Sequence, residues 1–307
     1  MADDRLDSIY SIPDRLADDF SDKGRLMALQ KFVHFPIVLL AAIAVHSAWA
    51  AEPGDHPLPR EQRESMTKEL KSQLSVLTEA IKENPKSVRL YSRRGDVLFF
   101  LARFKESVAD YEKMVELDSD QDSSHWRRGI ARFYAKQYKE AAHQFEIYHS
   151  FDDVDRENGI WRYFSQYKAY GKEKAKQGLL KYKKDDRQPF PSVYRLFSGD
   201  LSSEEVLAGV RNAEISKTER FKREFYAFLY VGLNHALEGR DKEAIVQLRA
   251  ATANRWGPEA GFGPNYMWHV GRLHYELLIK KQMSKPDSKE ELPKKSEPKK
   301  PAKPAVK

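Results

Sequence analysis

Apolar residues in this chain recur at steps of three and four, and no run of useful length alternates with a period of two. Leu70, Leu74, Leu77 and Ile81 stand at i, i+4, i+7 and i+11, one face of a helix that starts near Glu61. The same periodicity predicts helices over 88–101 and 104–117, then over 123–136 and 138–150. Residues 160–170 and 172–183 fit a further pair, broken by Pro189 and Pro191. Short helices are expected over 192–197 and 202–210, the second marked by the capping signal Ser202-Ser203-Glu204-Glu205. A helix beginning near Phe225 stops at Gly239-Arg240-Asp241, and the next carries Ala244, Leu248 and Ala251. A last helix is expected over 264–281. The predicted fold is therefore all-α.

Two of these segments echo each other at an offset of 34 residues. Tyr91-Ser92-Arg93-Arg94-Gly95 aligns with His125-Trp126-Arg127-Arg128-Gly129. Twelve residues after each glycine comes a small residue, Ser107 or Ala141, and four further on an aromatic, Tyr111 or Phe145. That period and order resemble the tetratricopeptide repeat (TPR), a helix-turn-helix unit that stacks into a solenoid. Regular units fall at about 88–121 and 122–155, and a third at about 225–258. A half-unit precedes them as a capping element, and an irregular helical insert separates the second from the third. Trp268-x-x-Gly271 repeats the pattern of Trp126-x-x-Gly129, so the last helix is expected to close the solenoid.

Charge and composition sharpen the ends of the chain. The net charge of +7 is concentrated from Lys280 onward, where ten lysines face four acids. A basic nucleic-acid-binding domain is therefore not indicated. From Met283 onward, five prolines, many lysines and no aromatic predict a disordered tail over 282–307. Residues 27–50 have the form of a secretory signal peptide: Lys31, an apolar run over 35–45, and Ala48-Trp49-Ala50 as the cleavage site. Residues 1–50 are thus expected to be an extension plus signal, the mature protein to start at Ala51 and be exported, and 51–63 to be a linker. The helical domain should cover 64–281. Cysteine is absent, which removes disulfides, thiol nucleophiles and a lipid-modified N-terminal cysteine.

Enzyme signatures are missing: no nucleophile elbow, phosphate-binding loop, dinucleotide fingerprint or paired-histidine zinc motif occurs. His143 with His149, and His269 with His274, are spaced six and five apart, which does not put two imidazoles on one helix face. Asp152-Asp153-x-Asp155 lacks the Gly and Glu that a calcium loop needs, since those places hold Glu157 and Tyr163. No cofactor and no metal is expected. The chemistry left is recognition. Arg89, Ser92 and Asp96 of the first repeat, with Trp126 and Ile130 of the second, are expected to face the concave groove and contact a peptide. Phe99 and Phe133 also read as core between helices.

From Gln73 to Leu278 the chain resembles the NlpI-type TPR lipoproteins of Gram-negative bacteria. The likeness lies in the irregular middle: Ile160-Trp161-Arg162-Tyr163, then Tyr194-Arg195-Leu196-Phe197-Ser198-Gly199-Asp200-Leu201-Ser202, then Phe225-Tyr226-Ala227-Phe228-Leu229-Tyr230-Val231-Gly232 and Ala250-Ala251-Thr252-Ala253-Asn254. The resemblance implies an envelope adaptor that forms a homodimer and brings a tail-specific protease together with peptidoglycan hydrolases. The family's lipid anchor sits on a cysteine after its signal, whereas this chain has Ala51, so anchoring is not implied. The expected function is a non-enzymatic exported scaffold that binds envelope proteins. The alternative is a structural envelope protein held by its basic tail to cell-wall or other polyanionic polymer.

Overall fold

Helix-period patterning yields fourteen helices among the described residues, which in this computed structural model are 56–184 and 187–284. The expected signal peptide, the extension before it, residues 51–55 of the linker and the tail from 285 lie outside the described residues. In chain order the helices are α1 (Arg60–Glu83), α2 (Val88–Phe100), α3 (Phe104–Leu117), α4 (Gln121–Ser124), α5 (Trp126–Tyr134), α6 (Tyr138–Phe151) and α7 (Arg156–Tyr170). Then come α8 (Lys172–Gln177), α9 (Phe190–Ser198), α10 (Ser203–Arg211), α11 (Lys217–Leu237), α12 (Asp241–Ala253), α13 (Trp256–Glu259) and α14 (Phe262–Met283). None of the described helices is long and apolar enough to cross a membrane.

The fold is a TPR-type solenoid whose repeat is a single packing contact used three times. A Cβ placed on Gly95 would lie 2.5 Å from the Tyr111 ring, one on Gly129 2.6 Å from the Phe145 ring, and one on Gly232 2.8 Å from Leu248 Cγ. In each case the glycine is on the first helix of a pair and its neighbour sixteen residues later on the second, α2 on α3, α5 on α6, α11 on α12. Only the missing side chain lets the helices approach this closely. Polar contacts keep the same step: Arg94 pairs with Asp110 at 2.7 Å, and Arg128 Nε donates to Gln144 Oε1 at 2.6 Å. The turns match as well. Ala102, Lys136 and Gly239 occupy equivalent left-handed positions, with φ of 59°, 65° and 79°. The next residue's N–H then bonds back to Leu98, Arg132 or His235, which closes each helix end.

The flanking elements follow local chemistry. α1 buries Leu70, Leu77 and Ile81 against Leu90 and Val97 of α2. α10 begins at a full capping box, with Ser202 and Glu205 bonding each other's backbone N–H. Two helices differ most from their predicted spans. α11 starts at Lys217 rather than near Phe225, because Ser216 caps it by accepting from Glu219 N at 3.2 Å. α8 stops at Gln177 rather than running to 183. The carbonyls beyond it are taken by side chains of α7 and α9: Arg162 donates to Gly178 O, Tyr194 to Leu180 O, and Arg156 to Lys184 O.

The final helix does not simply cap the end. α14 packs on α12 and α13 and runs across the inner faces of α2 and α5. Tyr266 stacks on Phe99 with ring centroids 4.9 Å apart and meets Trp126 edge-on at 5.0 Å. His269 stacks on Phe100 at 3.9 Å, Arg272 Nη2 donates to Phe100 O at 2.7 Å, and the Tyr134 hydroxyl bonds His274 Nδ1 at 3.0 Å. Tyr266, Met267, Trp268, Val270, Leu273, Tyr275 and Leu278 are all buried, as are the polar His269 and Arg272, so the middle of α14 belongs to the core. Tyr266→Ala removes a fully buried ring from the meeting point of three helices. Its unfolding free energy in urea should fall by about 3–5 kcal/mol, as for other large aromatic truncations.

Candidate functional site

Because α14 lies along the inner faces of α2 and α5, the five side chains expected to line an open groove do not form one exposed surface. Arg89 is exposed at the start of α2. Ser92 is half-buried, and its Oγ accepts from Arg127 Nη2 at 3.0 Å. Asp96 is buried: its carboxylate accepts from Arg127 Nη1 at 2.7 Å and from the Tyr111 hydroxyl at 2.6 Å. Burial pushes the Asp96 carboxyl above its ordinary value despite the nearby Arg127 guanidinium. Asp96 therefore joins the first repeat to the second instead of meeting a ligand. Ile130 is buried beneath α14, and Trp126 is half-buried.

Trp126 and Ile130 nevertheless share a wall of a cavity of about 400 Å³. The opposite wall comes from elements that groove reasoning passed over. α7 supplies Trp161, α11 Tyr226, α13 Trp256 and α14 Met267. Three of the chain's five tryptophans thus converge on one space. Asp155 and Glu157 at the start of α7, Arg187 before α9, and Lys222 of α11 also line it. Arg187 reaches Glu157 at 2.5 Å and its guanidinium lies 4.3 Å from the Phe190 ring centroid. Lys222 is 3.4 Å from Glu219. These four charged groups among the described lining residues have partners within the chain, and the rest of the lining is chiefly aromatic and apolar. Such a site holds an apolar group by burial. Among the described residues, no group of three or more His, Asp or Glu side chains is gathered as a metal would need.

Histidine protonation is shifted in this fold as well. His125 is held near pKa 3, first by burial and then by Arg127 and Arg128. His274 is held near 4, by burial and by Lys168. Both stay neutral in the folded chain at physiological pH.

No protein-family model matches the chain. Among curated proteins it is similar to the Hsp70-Hsp90 organizing protein of Triticum aestivum, 27% identical over 154 residues, which are 48% of this chain and 26% of that protein. It is similar to the lipoprotein NlpI homolog of Haemophilus influenzae, 24% identical over 183 residues, 58% of this chain and 57% of that protein. The protein SGT1 homolog of Oryza sativa subsp. japonica is 32% identical over 80 residues, 26% of this chain and 22% of that protein. The chain thus spans between about a fifth and a little over half of the length of these curated relatives.

His125 and His274, with His235 and His269 lowered as well, set a pH dependence. Their folded values lie below the ordinary imidazole value of 6.5, so the unfolded chain takes up these protons first. Stability should be full above about pH 6.5 and fall as pH drops toward 4. Urea unfolding at pH 5 should give a free energy lower than at pH 7 by on the order of 1–4 kcal/mol. His274→Phe should show a shallower fall.

Proposed function

We propose that this TPR protein, which resembles the NlpI-type lipoproteins, is an exported, non-enzymatic scaffold that holds a segment of an envelope protein in the tryptophan-lined cavity. The observation that carries this reading is the convergence of Trp126, Trp161, Trp256, Tyr226 and Met267 around about 400 Å³ of space. Aromatic pockets of this kind are where protein interfaces concentrate their binding energy, through one anchor side chain excluded from water. The rest of the inner surface is committed to the chain itself, with α14 over α2 and α5 and the Asp96 carboxylate bound by Arg127 and Tyr111. A partner segment would thus enter beside α14 rather than along the whole solenoid. Similarity to the Hsp70-Hsp90 organizing protein and to the NlpI homolog supports a role in assembling other proteins. Export rests on the leader pattern of residues 27–50. On this reading the partners are peptidoglycan hydrolases or a tail-specific protease, as the resemblance implies.

Met267→Trp tests the cavity directly, since it places a larger ring into the space from a residue already in the wall. A photo-crosslinking side chain on the exposed Phe262, which lies 6.4 Å from Trp126 between ring centroids, reports occupancy in envelope fractions. Crosslinked partner should fall at least tenfold in Met267→Trp while helicity is unchanged. An unchanged yield in a folded variant would place the partner elsewhere.

A further inference from the structure

A second cavity, of about 420 Å³, shares no described lining residue with the tryptophan cavity. It lies where α5, α7, α11 and α14 end, beside the first residues of α6 and α12. Phe133, Phe164, Leu233, Leu237 and Leu278 are buried in its wall, whereas Leu277 is 41% exposed. The lining is thus apolar from the interior out to solvent.

Its charge is one-sided. Lys136, Lys168 and Lys281 line it together with a single acid, Asp241. Lys281 Nζ pairs with Asp241 Oδ2 at 2.6 Å, and Asp241 Oδ1 is enclosed, so this carboxylate is already neutralised. His274, also in the wall, is neutral at physiological pH and adds no charge. That leaves Lys136 and Lys168, which make no hydrogen bond or ion pair among the described residues. Lys168 is exposed overall, yet desolvation along the apolar wall, and then Lys281, lower its ammonium below the ordinary lysine value, with Asp241 opposing them. Backbone dipoles do not supply the missing negative charge. Where α5 and α11 end, α6 and α12 begin within four residues, so the negative end of one helix meets the positive end of the next.

An apolar wall beside two ammonium groups without counter-charge fits a molecule with a hydrocarbon part and an anionic head. A cation would be repelled, and a small inorganic anion would leave the apolar wall uncovered. A peptide main chain would bring N–H donors, for which apolar side chains and lysines offer no acceptor.

We propose that this second cavity binds a single-chain amphiphile with a carboxylate head, its chain lying on Phe133, Phe164, Leu277 and Leu278 and its head met by Lys168 and Lys136. The site goes beyond the scaffold reading and does not rest on it, since partner capture is assigned to the tryptophan cavity.

The test is calorimetric titration of the full chain with decanoate. Decyltrimethylammonium, which has the same chain and a cationic head, and acetate, which has the head alone, serve as comparison probes. Decanoate should bind saturably and the other two should not. Lys168→Gln keeps most of the stem and removes the charge, and should weaken decanoate binding about 3- to 10-fold. Leu277→Ser should weaken it about threefold or more through lost apolar contact. Both residues are exposed, so helicity should be unchanged in each variant. Absence of saturable decanoate binding, equal binding of decyltrimethylammonium, or an affinity that Lys168→Gln leaves unchanged overturns the proposal. Decanoate binding that Met267→Trp abolishes and Lys168→Gln spares also overturns it, because the chain would then sit in the tryptophan cavity. So does association with phosphatidylglycerol vesicles in the absence of decanoate binding, because the lysines would then meet a bilayer surface.

Discussion

The stack of Tyr266 on Phe99, at 4.9 Å between ring centroids, is the contact on which the rest of this structure depends. It fixes α14 across the inner faces of α2 and α5, with His269 on Phe100 and Tyr134 on His274 extending the seam. Solenoids are stabilised mainly by contacts between neighbouring units, which leaves their ends weak. Here residues more than a hundred positions apart are tied together, as Arg272 to Phe100 O shows. The N-terminal approach joins the same seam: His56 meets Tyr275 edge-on at 5.3 Å and lies 3.5 Å from Glu276, and Leu58 is buried in the core. A surface that could have served as an open binding groove is thereby turned into interior. What survives of it is the cavity between α5, α7, α11, α13 and α14.

That conversion explains which parts of the molecule could be read from the sequence. The glycine-to-aromatic step of sixteen residues, Gly95 to Tyr111 and Gly129 to Phe145, is a direct image of helix contact, so the repeats were legible as text. The true start of α11 carried a signal in Ser216 and Glu219 and so was legible, although the repeat register put it near Phe225. The short α8 was not, because its end is set by Arg162, Tyr194 and Arg156 claiming carbonyls from other helices, which local propensity does not encode. The groove assignment at Asp96 and Ile130 rested on position within a generic repeat. It could not register that α14 covers those positions, although apolar residues on more than one face of 262–283 signal a buried helix. Trp126 was identifiable as an aromatic on an inner face. Its companions Trp161 and Trp256 are brought to it only by the tertiary fold.

The electrostatics follow the same division between interior and site. Asp96, Arg127, Tyr111 and Ser92 form a hydrogen-bonded set that connects repeats, and Arg128 does likewise with Gln144, Glu112 and Asp122. Such buried pairs add specificity of register more than net stability, because desolvation offsets much of their attraction. The tryptophan cavity differs in kind. It is lined chiefly by aromatic and apolar side chains, with two carboxylates and two cationic groups among its described lining residues. A recognition surface of this type selects for shape and apolar bulk, with little dependence on salt.

The central claim is that α14 is a permanent part of the core, so that partners meet the residual cavity and not the groove beneath the helix. Hydrogen exchange of the full chain, followed by mass spectrometry of peptides spanning 264–278, tests this most directly. The account predicts that these amides open only with global unfolding, with protection equal to that of α5 and α6. Exchange of 264–278 that is much faster than that of α5 and α6 would contradict it, because α14 would then leave the groove while the repeats stay folded.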